Sequence, residues 1–329
     1  MKKLFALILA VLTVLAIFAG CANNGNNEED GAVTVRLGGL KGPTSMGMVK
    51  LLDDAEHGLT GNAYEFTMAV TADELTPKLI KGEIDIAAVP ANLGSILYNN
   101  SNGAVEVIAI NTLGVIYIVE KGGDEVHSIA DLRGKTIYAT GKGTTPEFAL
   151  NYLLAENGLD PANDITVEWK SEPTEIAAQM ATEEHAIAMM PQPFVTVASN
   201  QLPDLRIAVD MTEAWNELEN GSRFVTATLV ANRAFADGHP EEVKKFLEEY
   251  KNSSDYVNEN AAEAALLVEK YDIVKAPVAE KAIPYCNMVC ITGEEMKTSL
   301  EGYLGVLHEQ DPKSVGGQLP GDDYYLIYE

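Results

Sequence analysis

The sequence predicts an α/β protein of two lobes, each a mostly parallel sheet flanked by helices, with a ligand cleft between the lobes. From Val33 onward, short runs rich in β-branched residues alternate with amphipathic segments of helical length, a pattern typical of parallel sheets. The alternation starts again near residue 120, which indicates a second sheet. A β-rich run near residue 220 begins no new unit, so we expect the chain to return there and complete the first lobe.

The expected organisation has four parts. Residues 1–20 are expected to form a signal peptide and residues 21–32 a flexible tether. Residues 33–115 and 222–329 are expected to form lobe I, and residues 116–221 lobe II. A body of this length suits one large or two medium domains.

In lobe I, runs of Val, Ile and Thr predict strands, because β-branched side chains favour an extended backbone. Gly82 ends the second predicted helix, since glycine readily adopts the conformation that follows a helix. The predicted strands are Val33–Leu37, Tyr64–Val70, Ile84–Val89 and Val105–Asn111, with Val115–Glu120 leading into lobe II, and the predicted helices are Ser45–Ala55, Ala72–Lys81 and Asn92–Tyr98.

Lobe II repeats the alternation after one helical turn at Ser128–Gly134. Gly158 ends its first long helix. The predicted strands are Thr136–Ala139, Ile165–Trp169, Ala186–Met190 and Leu205–Val209, and the predicted helices are Pro146–Asn157, Pro173–Glu183 and Phe194–Ser199. The β-rich run Phe224–Ala231 then leads into a series of helices that extends from His239 to the C-terminus.

The N-terminus has the three parts of a secretory signal. Met1–Lys3 is basic, Leu4–Phe18 is almost wholly apolar, and two small residues precede Cys21. The alternative is a retained membrane anchor, although the apolar stretch is at the low end of what can span a bilayer. Phe18–Cys21 resembles the lipobox of bacterial lipoproteins, with Phe where Leu is usual, which implies a diacylated Cys21. The polar segment that follows cannot pack against a core.

The charge of the chain excludes a nucleic-acid-binding protein. The chain has 23 Lys and Arg residues against 49 Asp and Glu residues, a formal net charge of −26, so it lacks the basic surface that nucleic-acid binding requires. Cys286 and Cys290 can form a disulfide or pack as two small buried side chains, and both alternatives stay open. The five histidines are scattered singly, so we expect no metal site.

Four loops that follow predicted strands carry polar or glycine-rich sequence. Open parallel sheets bind ligands beyond the carboxyl ends of their strands, where helix N-termini present free N–H groups. Any one of these loops alone is more simply an ordinary helix cap, with Thr44 or Ser45 capping one helix and Thr145 another. Together they predict a shared cleft. The loops are Gly38–Met46, Pro90–Asn92, Thr140–Pro146 and Pro191–Pro193.

The loops favour an anionic or polar solute. A helix N-terminus stabilises an anion by about 0.3–1 kcal/mol when exposed and by up to about 2 kcal/mol when partly buried. Only Lys41 and Lys142 add positive charge to these loops, and no arginine does. Gly141–Thr145 does not match a phosphate-binding loop, because Lys142 is followed by glycine. No hydrolase motif is present, so we expect no catalytic residues and no cofactor.

Several segments resemble the substrate-binding lipoproteins of ABC importers, in the nitrate/sulfonate/thiamine-precursor group. These segments are Lys78–Ala91, Ile129–Gly143, Ala186–Thr196 and Ala234–Val243. The resemblance implies a type II periplasmic-binding fold, a solute held between the lobes, and an ABC permease with its ATPase as partners. It also implies an extracytoplasmic, lipid-anchored protein, which we expect to be a monomer. The alternatives are a cytosolic-type pyrimidine-precursor enzyme on the same scaffold and a surface sensor or adhesin.

The candidate ligand contacts follow from the four loops and the strand ends beside them. Trp215 has two alternatives, an aromatic wall of the cleft or a core tryptophan. The other candidates are Lys41, Thr44, Ser45, Asn92, Thr112, Thr144, Thr145 and Gln192.

Overall fold

A computed structural model describes residues 33–328 of the chain, and the described residues from Thr34 onward form one compact unit. The signal peptide, the tether and Cys21 lie outside the described residues. The strands are β1 (Thr34–Leu40), β2 (Ala63–Ala69), β3 (Ile86–Pro90), β4 (Val105–Leu113), β5 (Ile116–Lys121), β6 (Thr136–Ala139), β7 (Thr166–Trp169), β8 (Ala186–Pro191), β9 (Leu205–Asp210), β10 (Val225–Asn232) and β11 (Met288–Ile291).

Helices flank both sheets. They are α1 (Pro43–Met46), α2 (Val49–Glu56), α3 (Thr76–Ile80), α4 (Ala91–Asn100), α5 (Thr145–Glu156), α6 (Pro173–Ala181), α7 (Phe194–Gln201), α8 (Met211–Asn216), α9 (Arg233–Gly238), α10 (Pro240–Glu259), α11 (Ala261–Lys270), α12 (Ala276–Ala282) and α13 (Gly293–Gln310). Within residues 33–328, none of the helices is both long and apolar enough to cross a membrane.

The strands form two mixed sheets, and the predicted two-lobed α/β class is confirmed. The six-stranded sheet of lobe I has the order β11-β4-β10-β3-β1-β2, and the five-stranded sheet of lobe II has the order β7-β6-β8-β5-β9. In lobe I, β10 and β11 run against the other strands. In lobe II, only β5 does so. The chain enters each sheet through an antiparallel strand, β5 in lobe II and β10 in lobe I. Each of these strands starts at the edge of the sheet where its neighbours end, and it therefore runs antiparallel to them.

The chain crosses between the sheets twice. Gly114 and Val115 alone separate β4 from β5, and the return runs from α8 to β10. One apolar cluster includes side chains from both lobes, among them Ile110, Ile118 and Leu304. The core is therefore continuous through the junction. The exact division at residues 115/116 and 221/222 stays a prediction.

Two predicted helices are interrupted in the structure. The predicted helix Ser45–Ala55 is divided into α1 and α2 at Gly47 and Met48. Tyr250 packs so closely there that a Cβ on Gly47 would lie 2.7 Å from the Tyr250 hydroxyl. The predicted helix Ala72–Lys81 begins as a 3-10 turn and becomes α-helical only at α3.

Two elements were missed by the sequence prediction. The helix α8 is capped by Asp210, whose carboxylate accepts hydrogen bonds from the backbone N–H groups of Thr212 and Glu213. The expectation of helices alone after His239 is wrong, because β11 adds a short edge strand beside β4. The pattern of a four-residue apolar run fits a helix as well as a strand. The position of this run beside β4 makes it a strand.

The C-terminal segment pairs with β4 at Val107, beyond the part of that strand that β11 covers. The Leu326 N–H donates to the Val107 carbonyl at 2.9 Å, and Tyr325 pairs with Val107 in parallel. Beside it, the Arg233 guanidinium donates to the Asp323 carbonyl at 2.6 Å and pairs with the Glu106 carboxylate at 3.1 Å. Burial, only partly offset by Arg233, raises the pKa of Glu106 to about 7.

We predict that Glu106→Gln changes how stability depends on pH. The folded protein keeps Glu106 protonated up to about pH 7, whereas the unfolded chain releases that proton near the ordinary pKa of 4.5. The unfolding free energy of the parent protein should therefore contain a component that falls by up to about 3 kcal/mol as pH rises through this window. Urea unfolding at about pH 5 and about pH 8 should show that the variant lacks it.

Glu280→Gln is the matched control, since its side chain is exposed and should change stability equally at both pH values. If the difference between Glu106→Gln and the parent is also the same at both pH values, the raised pKa of Glu106 is contradicted.

Candidate functional site

The ends of the strands bring the predicted loops to the junction of the lobes. In lobe I, Ala227 of β10 pairs with Pro90 on one side and with Thr112 on the other, so the ends of β3 and β4 lie level. In lobe II, Pro191 at the end of β8 pairs with Ile116 at the start of β5. Because only two residues join β4 to β5, the carboxyl edges of the two sheets adjoin.

The junction buries polar side chains that carry no charge. Each of them is less than one-tenth exposed, and buried polar groups usually require hydrogen-bond partners. The set comprises Thr44, Ser45, Asn92, Asn111, Thr112, Thr145 and Gln192. All but Asn111 were predicted as ligand contacts from the sequence.

The loop after β1 folds back on the strand it leaves. The Ser45 hydroxyl donates to the Leu40 carbonyl at 2.7 Å, and the Thr44 hydroxyl reaches the same oxygen at 3.2 Å. A Cβ on Gly39 would clash with Ser45 Oγ, so glycine is required for this approach. The expected capping of the next helix by Thr44 or Ser45 is wrong, because α1 begins at Pro43 without a side-chain cap.

Asn111 is the site residue that the sequence prediction missed. Its Nδ2 donates to the Thr44 carbonyl at 3.0 Å, which ties β4 to the loop after β1. Its Oδ1 and the Thr112 hydroxyl are buried, and neither has a hydrogen-bond partner among the described residues. The signal was present, because an Asn-Thr pair near the end of an otherwise apolar strand puts polar groups where side chains are buried.

A buried hydrogen bond joins the two lobes directly. The Thr145 hydroxyl of α5 donates to Asn92 Oδ1 of α4 at 3.3 Å. The Asn92 Nδ2 donates to the Ser314 carbonyl at 2.9 Å. Asn92 thus joins lobe II to the segment after α13, and both ends of its amide have protein partners.

The loop after β6 differs by one residue from its predicted form. Thr144, not Thr145, is the residue that precedes α5, so Pro146 occupies the second helical position. The Thr144 hydroxyl donates to the Gly141 carbonyl at 2.7 Å. Gly141 has a φ of 84°, and a Cβ there would lie 2.6 Å from Pro146. Glycine is therefore required at this turn.

Gln192 and Tyr117 add contacts on the lobe II side of the junction. Gln192 Oε1 accepts from the backbone N–H and the hydroxyl of Thr196 at 3.3 and 2.9 Å. The backbone N–H of Gln192 donates to the Val115 carbonyl at 2.9 Å. The Tyr117 hydroxyl donates to the Tyr285 carbonyl of lobe I at 3.3 Å. Burial raises the pKa of Tyr117, so this phenol stays protonated as a donor.

The two lysines of the predicted loops lie outside the buried set. Lys41 is exposed, and its Nζ lies 3.5 Å from the Asp272 carboxylate. Lys142 is also exposed. Neither lysine therefore adds its charge to the buried set, and α4, α5 and α7 begin beyond the ends of β3, β6 and β8, where a helix N-terminus carries a partial positive charge.

Trp215 lies in the core, which is one of its two predicted alternatives. Its indole is fully buried, stacks on Phe224 with ring centroids 5.3 Å apart, and touches Tyr152 and Tyr303 at 4.7 and 5.5 Å. The indole N–H donates to the Ser222 hydroxyl at 3.0 Å. These rings come from both lobes, so Trp215 packs the return crossing.

Cys286 and Cys290, the cysteines that the structure describes, do not form a disulfide. Both are free, and burial raises the pKa of the Cys290 thiol to about 12. Within residues 33–328, no group of His, Cys, Asp and Glu side chains has the arrangement of a metal site.

Comparisons with known proteins agree with this architecture. Residues 102–264 match the family described as NMT1/THI5 like. No curated protein matches the chain. Among solved structures, an ABC transporter protein from Parabacteroides distasonis has a TM-score of 0.75 at 21% identity, covering 90% of this chain and 100% of its own.

Two further solved structures belong to proteins named for their solutes. The alkanesulfonate-binding protein SsuA from Xanthomonas axonopodis pv. citri, bound to MOPS, has a TM-score of 0.68 at 15% identity and covers 88% of this chain and 95% of its own. The periplasmic nitrate-binding protein NrtA from Synechocystis PCC 6803 has a TM-score of 0.58 at 14% identity, with coverage of 75% and 69%. These likenesses confirm the predicted fold, and the family match over residues 102–264 supports the resemblance that the sequence predicts.

We predict that Trp215→Ala lowers the unfolding free energy by about 3–5 kcal/mol, because it removes a fully buried aromatic side chain from the core. The chain offers Trp169→Ala as a control. Trp169 ends the edge strand β7 and is only half-buried, so its removal should cost less. Urea unfolding of both variants measures the difference, and equal losses would contradict the core position of Trp215.

Proposed function

We propose that this chain, whose fold is similar to that of solved nitrate- and sulfonate-binding proteins, captures a small solute between its lobes and delivers it to a membrane permease. The ABC permease and its ATPase are the proposed partners, and the proposed working form is a monomer. The predicted contacts Thr44, Ser45, Thr112, Thr145 and Gln192 are the proposed ligand contacts.

The observation that carries this proposal is the buried, uncharged polar set at the adjoining edges of the two sheets. Polar groups from both lobes there can close around one solute, and the Thr145–Asn92 hydrogen bond is one contact of a closed state. A solute must interact more favourably with the closed state than with the open state, or it causes no closure. Micromolar affinity corresponds to about −8 kcal/mol, which several hydrogen bonds and apolar burial can supply.

We propose a receptor and not an enzyme. The solved relatives with the same fold are named as binding proteins. Chemical turnover of a bound solute by the purified protein would contradict this proposal.

A thermal-shift screen tests solute capture. We expect at least one small polar solute, from a panel of oxyanions, sulfonates, carboxylates and pyrimidines, to raise the melting temperature, since a ligand that binds only the folded state stabilises it. A solute at a hundred times its Kd adds about 2.7 kcal/mol. Thr145→Val should weaken this solute by about fivefold to tenfold through loss of the interlobe hydrogen bond, whereas Thr182→Val, on the exposed end of α6, should not.

We also propose that the mature chain is exported and anchored by lipid on Cys21. The lipobox-like segment supports this, and two acyl chains hold a protein firmly to a membrane. Cells grown with labelled palmitate should incorporate label into the parent chain and lose it in Cys21→Ala. Cys290→Ala should keep the label, and label retained by Cys21→Ala would contradict the anchor.

A further inference from the structure

The geometry points to Asn111 as a specificity-determining residue that selects a solute with an N–H or O–H donor over a simple oxyanion. This inference rests on the proposed function and narrows the class of solute that the site accepts.

The orientation of the Asn111 amide follows from its contact with Thr44. The group 3.0 Å from the Thr44 carbonyl must be the Nδ2 donor, because a carbonyl oxygen there would face another acceptor. Oδ1 is therefore the free end of the amide. It is fully buried and has no hydrogen-bond partner among residues 33–328.

The position of Asn111 places this free acceptor at the junction. Thr112, the next residue, lies level with Pro90 and Ala227 at the carboxyl edge of lobe I. The Thr112 hydroxyl is a second buried group without a partner among the described residues. A buried acceptor without a donor destabilises the protein, so a solute that supplies a donor gains affinity by removing that cost.

Simple oxyanions do not meet this requirement. Nitrate, sulfate and methanesulfonate present only acceptors at neutral pH, so their oxygens repel Asn111 Oδ1. No buried lysine or arginine in the polar set offsets this repulsion. The N-termini of α4 and α5 still offer donors. The fitting solute therefore combines donors with acceptors, as an uncharged amide or an amino-substituted nitrogen heterocycle does.

Asn62 has the same buried amide with a free Oδ1 as Asn111, but it lies away from the junction. It is also buried, its Nδ2 donates to the Glu242 carbonyl at 2.9 Å, and its Oδ1 has no partner among the described residues. Asn62 precedes β2, at the amino edge of the sheet and away from the junction. It therefore serves as a matched control for Asn111.

The experiment compares solutes on the parent protein by calorimetry. Cytosine, nicotinamide and urea are the donor-bearing probes. Their fully N-methylated counterparts, in which every N–H is replaced, lack the donors, and nitrate, sulfate and methanesulfonate are the acceptor-only anions. We expect binding only among donor-bearing probes, with methylation weakening it by about tenfold or more. Binding of any of the three anions with equal or higher affinity overturns the inference and leaves solute capture intact. If no probe binds, both the inference and the proposed capture of such solutes fail.

The variants test the residue itself. Asn111→Leu should weaken the bound probe by about tenfold to a hundredfold, whereas Asn62→Leu should leave its affinity unchanged while losing similar stability. Equal affinities in the two variants would contradict the role of Asn111. If Asn111→Leu does not fold, the comparison of methylated and unmethylated probes on the parent protein still tests whether the site requires a donor on the solute.

Discussion

Gly114 and Val115 link the two sheets, and most features of the junction depend on how short that link is. A Cβ on Gly114 would clash with Thr212 and Phe224, so only glycine allows the second crossing to pass so closely. The Val115 carbonyl accepts from the Gln192 N–H of lobe II, and the Gly114 carbonyl accepts from Asn287 Nδ2 of lobe I at 2.5 Å. The link is thus held from both lobes, and the carboxyl edges of both sheets adjoin beside it.

The sequence predicts the local elements well and their partners poorly. The strand Thr136–Ala139 has the predicted bounds, because its apolar run ends at glycine-rich turns on both sides. The predicted cap at Thr145 is wrong, because Thr144 precedes α5 and its hydroxyl donates to the Gly141 carbonyl instead of capping the helix. Asn92 was predicted as a ligand contact, yet Ser314, 222 residues away, takes its Nδ2. No local pattern contains such a pairing, so the assignment of free and satisfied polar groups requires the folded chain.

The negative charge of the chain and the lack of charged side chains in the buried polar set both favour an uncharged solute over an anion. A net charge of −26 produces a negative potential that opposes the approach of anions over roughly the Debye length of 8–10 Å. Lys41 is exposed and faces Asp272, so it does little to reverse this potential. Uncharged solutes approach without that barrier, and inside the junction the helix N-termini act only at short range.

The discontinuity of lobe I also governs the order in which the molecule can fold. The strands of lobe II come from one stretch, residues 116–210, whereas the sheet of lobe I combines residues 34–113 with residues 225–291. Strand pairing between segments so distant in sequence is slow, because a long loop must close before any contact compensates its entropy. Lobe II can therefore form on its own contacts, while β3 and β4 wait for β10. During that interval these apolar strands have unpaired edges, and an emerging chain is most prone to aggregation until β10 has been synthesised.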